Sequence, residues 1–438
     1  MKKSLIASIL IALLLLTSCT KPSTETPNFG PSETTTPAQT EPSLLIVNTT
    51  DDVDDGVCNT VHCSLREAIN ASNKRPGPDT ITFDPSVFPP SETVLIELTS
   101  TLPTVLDGNT TIDTTGAQVT VDGSILPHQK NGLVIESSNN TVKGIRIQNV
   151  PGIGIWVFAS NGNEVYYNTI NSVTLVNCGY GGRQDAIDIM AQGMDSKACF
   201  NRIVNCTVEN NADDGIEIVT DKGGVADNNL VVGSIFRGNA ECGIEIDAKS
   251  VGCSASNNEV INNVVEGNEK PCGIHINSSG GGAADGNTID SNTVTGNAGS
   301  GIGIATWDPG SSASTNVIVR NTVEQNKYLG IAMWSQDGAV ANGNCIKGNT
   351  IKNHDQKDDG VGLLIKNVND NLVYHNNFIE NYIQTKDDGN NTCWEHNGEG
   401  NYWSDYTGKD ANGDGIGDTP YKFTKGVDNH PLMKLYGQ

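Results

Sequence analysis

Basic side chains are scarce in this 438-residue chain: 27 Lys and Arg stand against 51 Asp and Glu, a formal net charge of -24 with an isoelectric point near 4.5. Such a field repels phosphate backbones, which excludes nucleic acid as a partner and favours cations or neutral polymers. No Cys-x-x-Cys pair occurs, so the commonest zinc signature is missing. The long apolar run from Leu5 to Leu16 is too short and wrongly flanked to span a membrane; with Lys2 and Lys3 before it, it reads as an export signal.

Residues 20 to 43 are Thr, Pro, Ser and Glu with almost nothing apolar, and a segment that cannot bury a core reads as a tether. Ten cysteines follow Cys19, an even count that in an exported chain predicts disulfides without fixing their connectivity. Cys58 and Cys63 are close enough to clip a local loop. Cys242 and Cys272 each stand immediately before the same short motif, one repeat apart.

That motif is Gly-Ile-x-Ile. It occurs as Gly215-Ile216-Glu217-Ile218, Gly243-Ile244-Glu245-Ile246, Gly273-Ile274-His275-Ile276 and Gly301-Ile302-Gly303-Ile304, with looser versions starting at Ala186, Gly330 and Gly362. The starts are 29, 28, 30, 28, 29 and 32 residues apart, and a fixed period of this size marks a solenoid. Within one unit, Asn316-x-Ile318, Asn321-x-Val323 and Ile331-x-Met333 are alternating segments too short for helices and separated by Asn and Gly. Three strands per coil, each pairing in parallel with its copy one coil on, predict an all-β, single-stranded right-handed parallel β-helix. Eight to ten coils would make a rod about 40 to 50 Å long. Asn at the corners tolerates the left-handed backbone region, and stacked Asn side chains form ladders.

A solenoid needs capped ends. Ser64-Leu65-Arg66-Glu67-Ala68-Ile69 has Ser and Glu at capping-box spacing with apolar residues on one helical face, which predicts a short N-terminal capping helix. Segments 93 to 98, 110 to 113 and 118 to 121 read as the first, irregular strands. The expected organisation is an export signal (1–19), a tether (20–43), a cap with irregular coils (44–130), regular repeats (131–384) and a C-terminal cap (385–438).

Several of these segments carry resemblances. Leu16-Thr17-Ser18-Cys19 resembles a bacterial lipoprotein cleavage box, which implies Cys19 as the lipidated first residue of a membrane-anchored protein at the cell surface or periplasmic face. Cys63-Ser64-Leu65-Arg66-Glu67-Ala68-Ile69, after the acidic Asp51-Asp52-Val53-Asp54-Asp55-Gly56, resembles the CSLREA segment that opens many exported bacterial β-helix proteins. The repeats are similar to pectin-lyase-like β-helices, including carbohydrate-binding and sugar-hydrolysis domains and the NosD family. Gly400-Asn401-Tyr402-Trp403-Ser404-Asp405-Tyr406 through Asp428-Asn429-His430-Pro431 resembles the closing segment of NosD-type helices. The resemblance implies the fold strongly, but this fold hosts lyases, hydrolases, epimerases and inert adhesins.

Chemistry is sought on outward positions. The x of the motif reads Trp156, Asp188, Glu217, Glu245, His275, Gly303, Ala332 down the rod, with Asp185, Asp214 and Asp247 on the same or neighbouring turns and Trp307 and Trp334 near the far end. Carboxylates stacked about 5 Å apart repel unless one is protonated or a cation joins them. Acids, one His and aromatics along a groove suit a sugar polymer. Adjacent coils match the roughly 5 to 5.5 Å of a retaining carboxylate pair, and alternate coils approach the roughly 6.5 to 9.5 Å inverting range. The expected catalytic residues are Glu217, Glu245, Asp188 and His275; Trp156, Asp185, Asp214, Asp247, Trp307 and Trp334 are the expected substrate contacts. A lyase would instead want calcium and a basic residue, for which Lys222 and Lys249 are the candidates. A merely solvated or cation-binding face competes with all of this. The polygalacturonase set Asn-Thr-Asp, Gly-His-Gly, Arg-x-Lys and the epimerase motif Asp-Pro-His-Asp have no match.

In Asp410-Ala411-Asn412-Gly413-Asp414-Gly415-Ile416-Gly417-Asp418, oxygen ligands at Asp410, Asn412, Asp414 and Asp418, the Ile416 carbonyl and Gly415 at the turn follow the calcium-loop pattern, with Tyr421 where a bidentate Glu would stand. A structural calcium in the C-terminal cap is the expectation. The NosD resemblance implies copper and a part in assembling a copper reductase in the periplasm. Copper wants clustered His, Met or Cys, whereas the seven His are scattered and only Met190, Met194 and Met333 lie in the solenoid. The functional expectation is a monomeric, surface-anchored lipoprotein, touching the membrane only through its lipid, that binds polysaccharide along the acidic strip. As an enzyme it would be a polysaccharide lyase or glycoside hydrolase. The alternatives are a non-catalytic structural or adhesin protein, or a NosD-like copper-binding maturation protein.

Overall fold

The computed structural model describes residues 42–182, 184–269, 271–354 and 360–437. Cys19, the export signal and most of the tether lie outside them. Short strands repeat along the chain and form three parallel sheets of 12, 12 and 10 strands. Sheet A runs from Ser43–Val47 to Leu372–Tyr374, sheet B from Thr93–Glu97 to Tyr402–Trp403, and sheet C from Leu133–Ile135 to Ile383–Asn390. The two 12-stranded sheets make the solenoid longer than expected. The irregular segments before residue 131, which lack the Gly-Ile-x-Ile motif, already pair as coils: Ser43–Val47 with Asp79–Phe83, and Thr93–Glu97 with Gln118–Asp122.

The motif builds sheet C. Both Ile of each repeat point inward, and Ile216, Ile218, Ile244, Ile246, Ile274, Ile276, Ile302 and Ile304 are fully buried. Each such side chain contributes on the order of 1.5–3 kcal/mol of burial, repeated coil after coil. In-register pairing, Ile216 with Ile244 and Ile244 with Ile274, stacks like on like.

Both ends are closed. Helix Leu65–Ser72 begins at Ser64 with a complete capping box to Glu67 and buries Leu65, Ala68 and Ile69. Cys58 and Cys63 are disulfide-bonded just before it. At the other end Trp403 stacks between Phe378 and Tyr421, with ring centroids 4.4 and 4.3 Å away. Asp428, fully buried, accepts hydrogen bonds from the Asn401 amide at 2.8 Å and Trp403 Nε1 at 2.9 Å. Cys199 is disulfide-bonded, whereas Cys178, Cys206, Cys242, Cys253, Cys272, Cys345 and Cys393 are free thiols, so the expected pairing holds for only some of the cysteines, in a solenoid where stacked strands already hold neighbouring coils.

Candidate functional site

Parallel in-register pairing turns each repeat position into a column. The first column in sheet C is the x of the motif: Trp156 pairs with Asp188, Asp188 with Glu217, Glu217 with Glu245, Glu245 with His275, His275 with Gly303 and Gly303 with Ala332. Two residues further on, a second column reads Phe158, Met190, Val219, Asp247, Asn277, Ala305, Trp334. A third, just before the motif, reads Asp185, Asp214, Cys242, Cys272, Ser300. In it the Asp214 amide donates to Asp185, the Cys242 amide donates to Asp214, and Cys272 pairs with Ser300.

The strip is not a solvated face. Asp188, Asp214, Asp247 and His275 are each 4–5% exposed and Asp185 is 8% exposed. Glu217 and Glu245 keep 12% and 14% of their side-chain surface. Carboxylates this buried cannot all be ionised. Burial, reinforced by the charge of Glu217, pushes Asp185 and Asp188 well above the usual carboxylate range. Burial and the Glu245 charge do the same to Asp214 and Asp247.

The two glutamates in adjacent coils separate. Glu217 is raised by burial and by Glu245, despite its ion pair with Lys249 at 2.8 Å. Lys249 is shared with Asp247 at 3.6 Å, so its one charge does not hold every neighbour ionised. Glu245 is lowered: burial works against it, but the hydrogen bond and charge of His275, a hydrogen bond with Asp214 and the charge of Lys249 outweigh burial. His275 Nδ1 lies 2.8 Å from Glu245 Oε1. Its Nε2 is buried with no partner, as are Asp188 Oδ1 and Trp156 Nε1.

Three overlapping groups of donors converge, each with its ligand atoms within 4.8 Å of one another: Asp185, Asp188 and Glu217; Asp214, Glu217 and Glu245; Cys242, Glu245 and His275. The expected catalytic four, Asp185 and Asp214 therefore do meet, while Asp247 is linked to them through Lys249. Of the two basic candidates, Lys249 joins them and Lys222 does not: it pairs at 3.6 Å with Asp221 and stays 70% exposed. Trp156 stacks on Phe158 at 4.1 Å, and Trp334 lies 6.2 Å from His275 and 6.3 Å from Trp307. Trp307 sits at the edge, donating to Asn277 Oδ1 at 3.0 Å. Sequence reading missed Cys242 and Cys272 as site residues. Their position immediately before the motif was the available signal, but it suggested a disulfide.

In the Asp410–Asp418 loop, Asp410 accepts from the amides of Gly413, Asp414 and Gly415, Asp414 from that of Ile416, and Asp418 from that of Ala411. The loop belongs to the C-terminal cap and not to the strip.

The family described as "Periplasmic copper-binding protein (NosD)" matches residues 201–408, and "Right handed beta helix region" matches residues 104–260. The probable ABC transporter binding protein NosD of Stutzerimonas stutzeri is 40% identical over 92 residues, 20% of this chain and 21% of the relative. Its Pseudomonas aeruginosa counterpart is 38% identical over 92 residues, with the same coverage of 20% and 21%. The matched stretch thus spans about a fifth of these curated relatives. Among solved structures, the A-module of the Azotobacter vinelandii mannuronan C-5 epimerase AlgE4 superposes with a TM-score of 0.51 at 12% identity, covering 76% of this chain and 95% of that one. Sheet order, stacked columns and these matches together make the chain a right-handed parallel β-helix of the pectin-lyase-like fold, with its residues 201–408 similar to NosD.

Proposed function

We propose that this is an exported β-helix protein, tethered through Cys19, that binds and cleaves an extracellular polysaccharide along the sheet C strip. The reading is carried by one observation: Glu217 and Glu245 stand in register in adjacent coils with one raised and the other lowered in pKa. Environments that push two neighbouring carboxyls apart assign an acid and a base. The coil spacing of roughly 4.8 Å lies close to the retaining separation of roughly 5 to 5.5 Å. Glu217 hands its proton to the glycosidic oxygen as that bond breaks, and the Glu245 carboxylate attacks the anomeric carbon. A water molecule, losing its proton to Glu217, then frees the sugar from Glu245. His275 and Lys249 hold Glu245 ionised, while Trp156, Trp334 and Trp307 offer ring faces to the sugars on either side. A row running from Trp156 to Ala332 across seven paired strands suits an extended polymer better than a small molecule.

The test is glycan-array binding together with reducing-sugar and unsaturated-product release by the purified protein. Release of reducing ends lost in Glu217→Gln and Glu245→Gln is expected. Absence of binding to any acidic or neutral glycan sinks the reading and leaves a structural surface protein.

A second reading, periplasmic copper handling of the NosD kind, is favoured by the meeting of Cys242, Glu245 and His275 at one end of the same strip. The spacing of Asp410, Asn412, Asp414, Ile416 and Asp418 supports calcium in the terminal loop with a structural role. A fall in melting temperature with chelator, reversed by calcium alone, is the expected sign, and no change would remove calcium from the account.

A further inference from the structure

Two columns change chemistry at nearly the same height of the rod. The column before the motif goes from Asp185 and Asp214 to Cys242 and Cys272; the x column goes from Asp188, Glu217 and Glu245 to His275. Hard oxygen donors thus give way to sulfur and imidazole nitrogen. Cys242, Glu245 and His275 already have donor atoms within 4.8 Å of one another. Cys272, in the next coil, is not one of that group of three and approaches it from the side of Gly303. The following strand places Gly303 opposite His275, and a Cβ there would lie 2.5 Å from Cys272 Sγ and 3.7 Å from His275 Nε2. The missing side chain at Gly303 is thus what gives Cys272 Sγ its room beside the His275 ring.

His275 supplies the independent sign of a ligand. Its Nδ1 is held by Glu245 at 2.8 Å, which fixes the ring, while Nε2 is buried without a partner in a residue only 5% exposed. Leaving such an atom unsatisfied is costly. A carboxylate on one ring nitrogen and a free second nitrogen is how metal-binding histidines are oriented. Cys242 and Cys272 remain free thiols, available as ligands.

We infer that Cys242, Cys272 and His275, with Glu245 orienting His275, form a site for a thiophilic metal ion, cuprous copper foremost. Two thiolates and an imidazole select soft ions, and the all-carboxylate group Asp185, Asp188 and Glu217 offers only hard oxygen. Metal entry displaces the two thiol protons to solvent. The donor set fits the copper of the NosD description. The inference rests on donor geometry and does not depend on polysaccharide cleavage.

Reduced full-length protein is titrated with Cu(I), and separately with Zn(II), against a chromophoric chelator, and the copper-loaded protein is examined by X-ray absorption. One ion per chain with a sulfur and nitrogen donor shell is expected. Cys242→Ser, Cys272→Ser and His275→Gln should each weaken retention at least roughly 10-fold, the lower end of what loss of even an orienting partner costs. Cys345→Ser and Glu217→Gln should leave it unchanged, which separates this site from the catalytic reading. Retention of zinc in place of copper at the same residues supports the thiophilic site. No ion retained by the unmodified protein, an oxygen-only donor shell, or retention unaffected in the Cys242→Ser, Cys272→Ser double variant overturns it. The absorption measurement uses the unmodified protein, so the test stands even where a variant fails to fold.

Discussion

At the corners of the coils, two consecutive residues divide the work that sequence reading assigned to one. Asn257, Asn262 and Gly267 take the left-handed backbone, with φ of 57°, 55° and 62°. The next residues, Asn258, Asn263 and Asn268, are fully buried and form the ladders. Asn263 accepts from the Ser234 amide at 2.9 Å and donates to Val231 O at 2.9 Å and Asn292 Oδ1 at 3.0 Å. Asn263→Ala strands that amide and is expected to cost about 1–3 kcal/mol in urea unfolding, whereas the turn variant Asn262→Gly should cost far less. The buried acids make a second residue-scale prediction. Asp185 and Asp188 are raised above 3.8 in the folded state, so they bind protons more tightly folded than unfolded. Their contribution to stability is full below 3.8 and is lost as pH rises through the raised values. Melting temperature should therefore fall more steeply with rising pH in the unmodified protein than in an Asp185→Asn, Asp188→Asn variant. Equal slopes would show that these two groups are ionised in the fold.

The sheet C strands are the elements that carry function, since one residue from each of several strands builds the site. No single strand contains an acid and its base: Glu217 comes from Ile216–Asp221, Glu245 from Ile244–Ala248 and His275 from Cys272–Ser278. Removing His275 takes from Glu245 the partner that lowers it. His275→Gln should raise the apparent pKa on the acidic limb of the cleavage pH profile, which reports Glu245, whereas Glu217→Gln should lower cleavage by roughly 100-fold or more and remove the alkaline limb, which reports the acid. An unmoved acidic limb in His275→Gln would remove His275 from the account of Glu245. The motif was legible because its period of about one coil is written in the sequence. The burial of the strip was not, since outward position in a strand says nothing about what covers it.

Over the whole molecule, stability depends on closing the rod. The stack Phe378, Trp403, Tyr421 covers the last coil, and fully buried Asp428 binds the Asn401 amide, Trp403 Nε1 and, at 3.0 Å, the His430 amide. Asp428→Ala leaves those donors unsatisfied in a dry site, at about 1–3 kcal/mol for each buried group. An open sheet end then invites pairing with another chain. Light scattering after size exclusion should show self-association of Asp428→Ala; a monomer with unchanged melting would mean that Asp428 and the ring stack it braces do not guard the core. The cap was read from Trp403 and its neighbours as a closing segment, but the role of Asp428, 25 residues beyond Trp403, required the chain's return path.

The sequence alone determined the coil, its three strands, the inward Ile columns and the outward column from Trp156 to Ala332, because in-register parallel stacking converts a linear period directly into position. Which columns meet was decided only by the tertiary structure. Cys242 faces Glu245 and His275, and Lys249 reaches back to Glu217, through the path of corners and loops that no period encodes. Protonation was decided there too. Desolvation and charge at one carboxyl are sums over neighbours from several coils, and so the acid, the base and the thiol-imidazole group exist only once the coils are stacked.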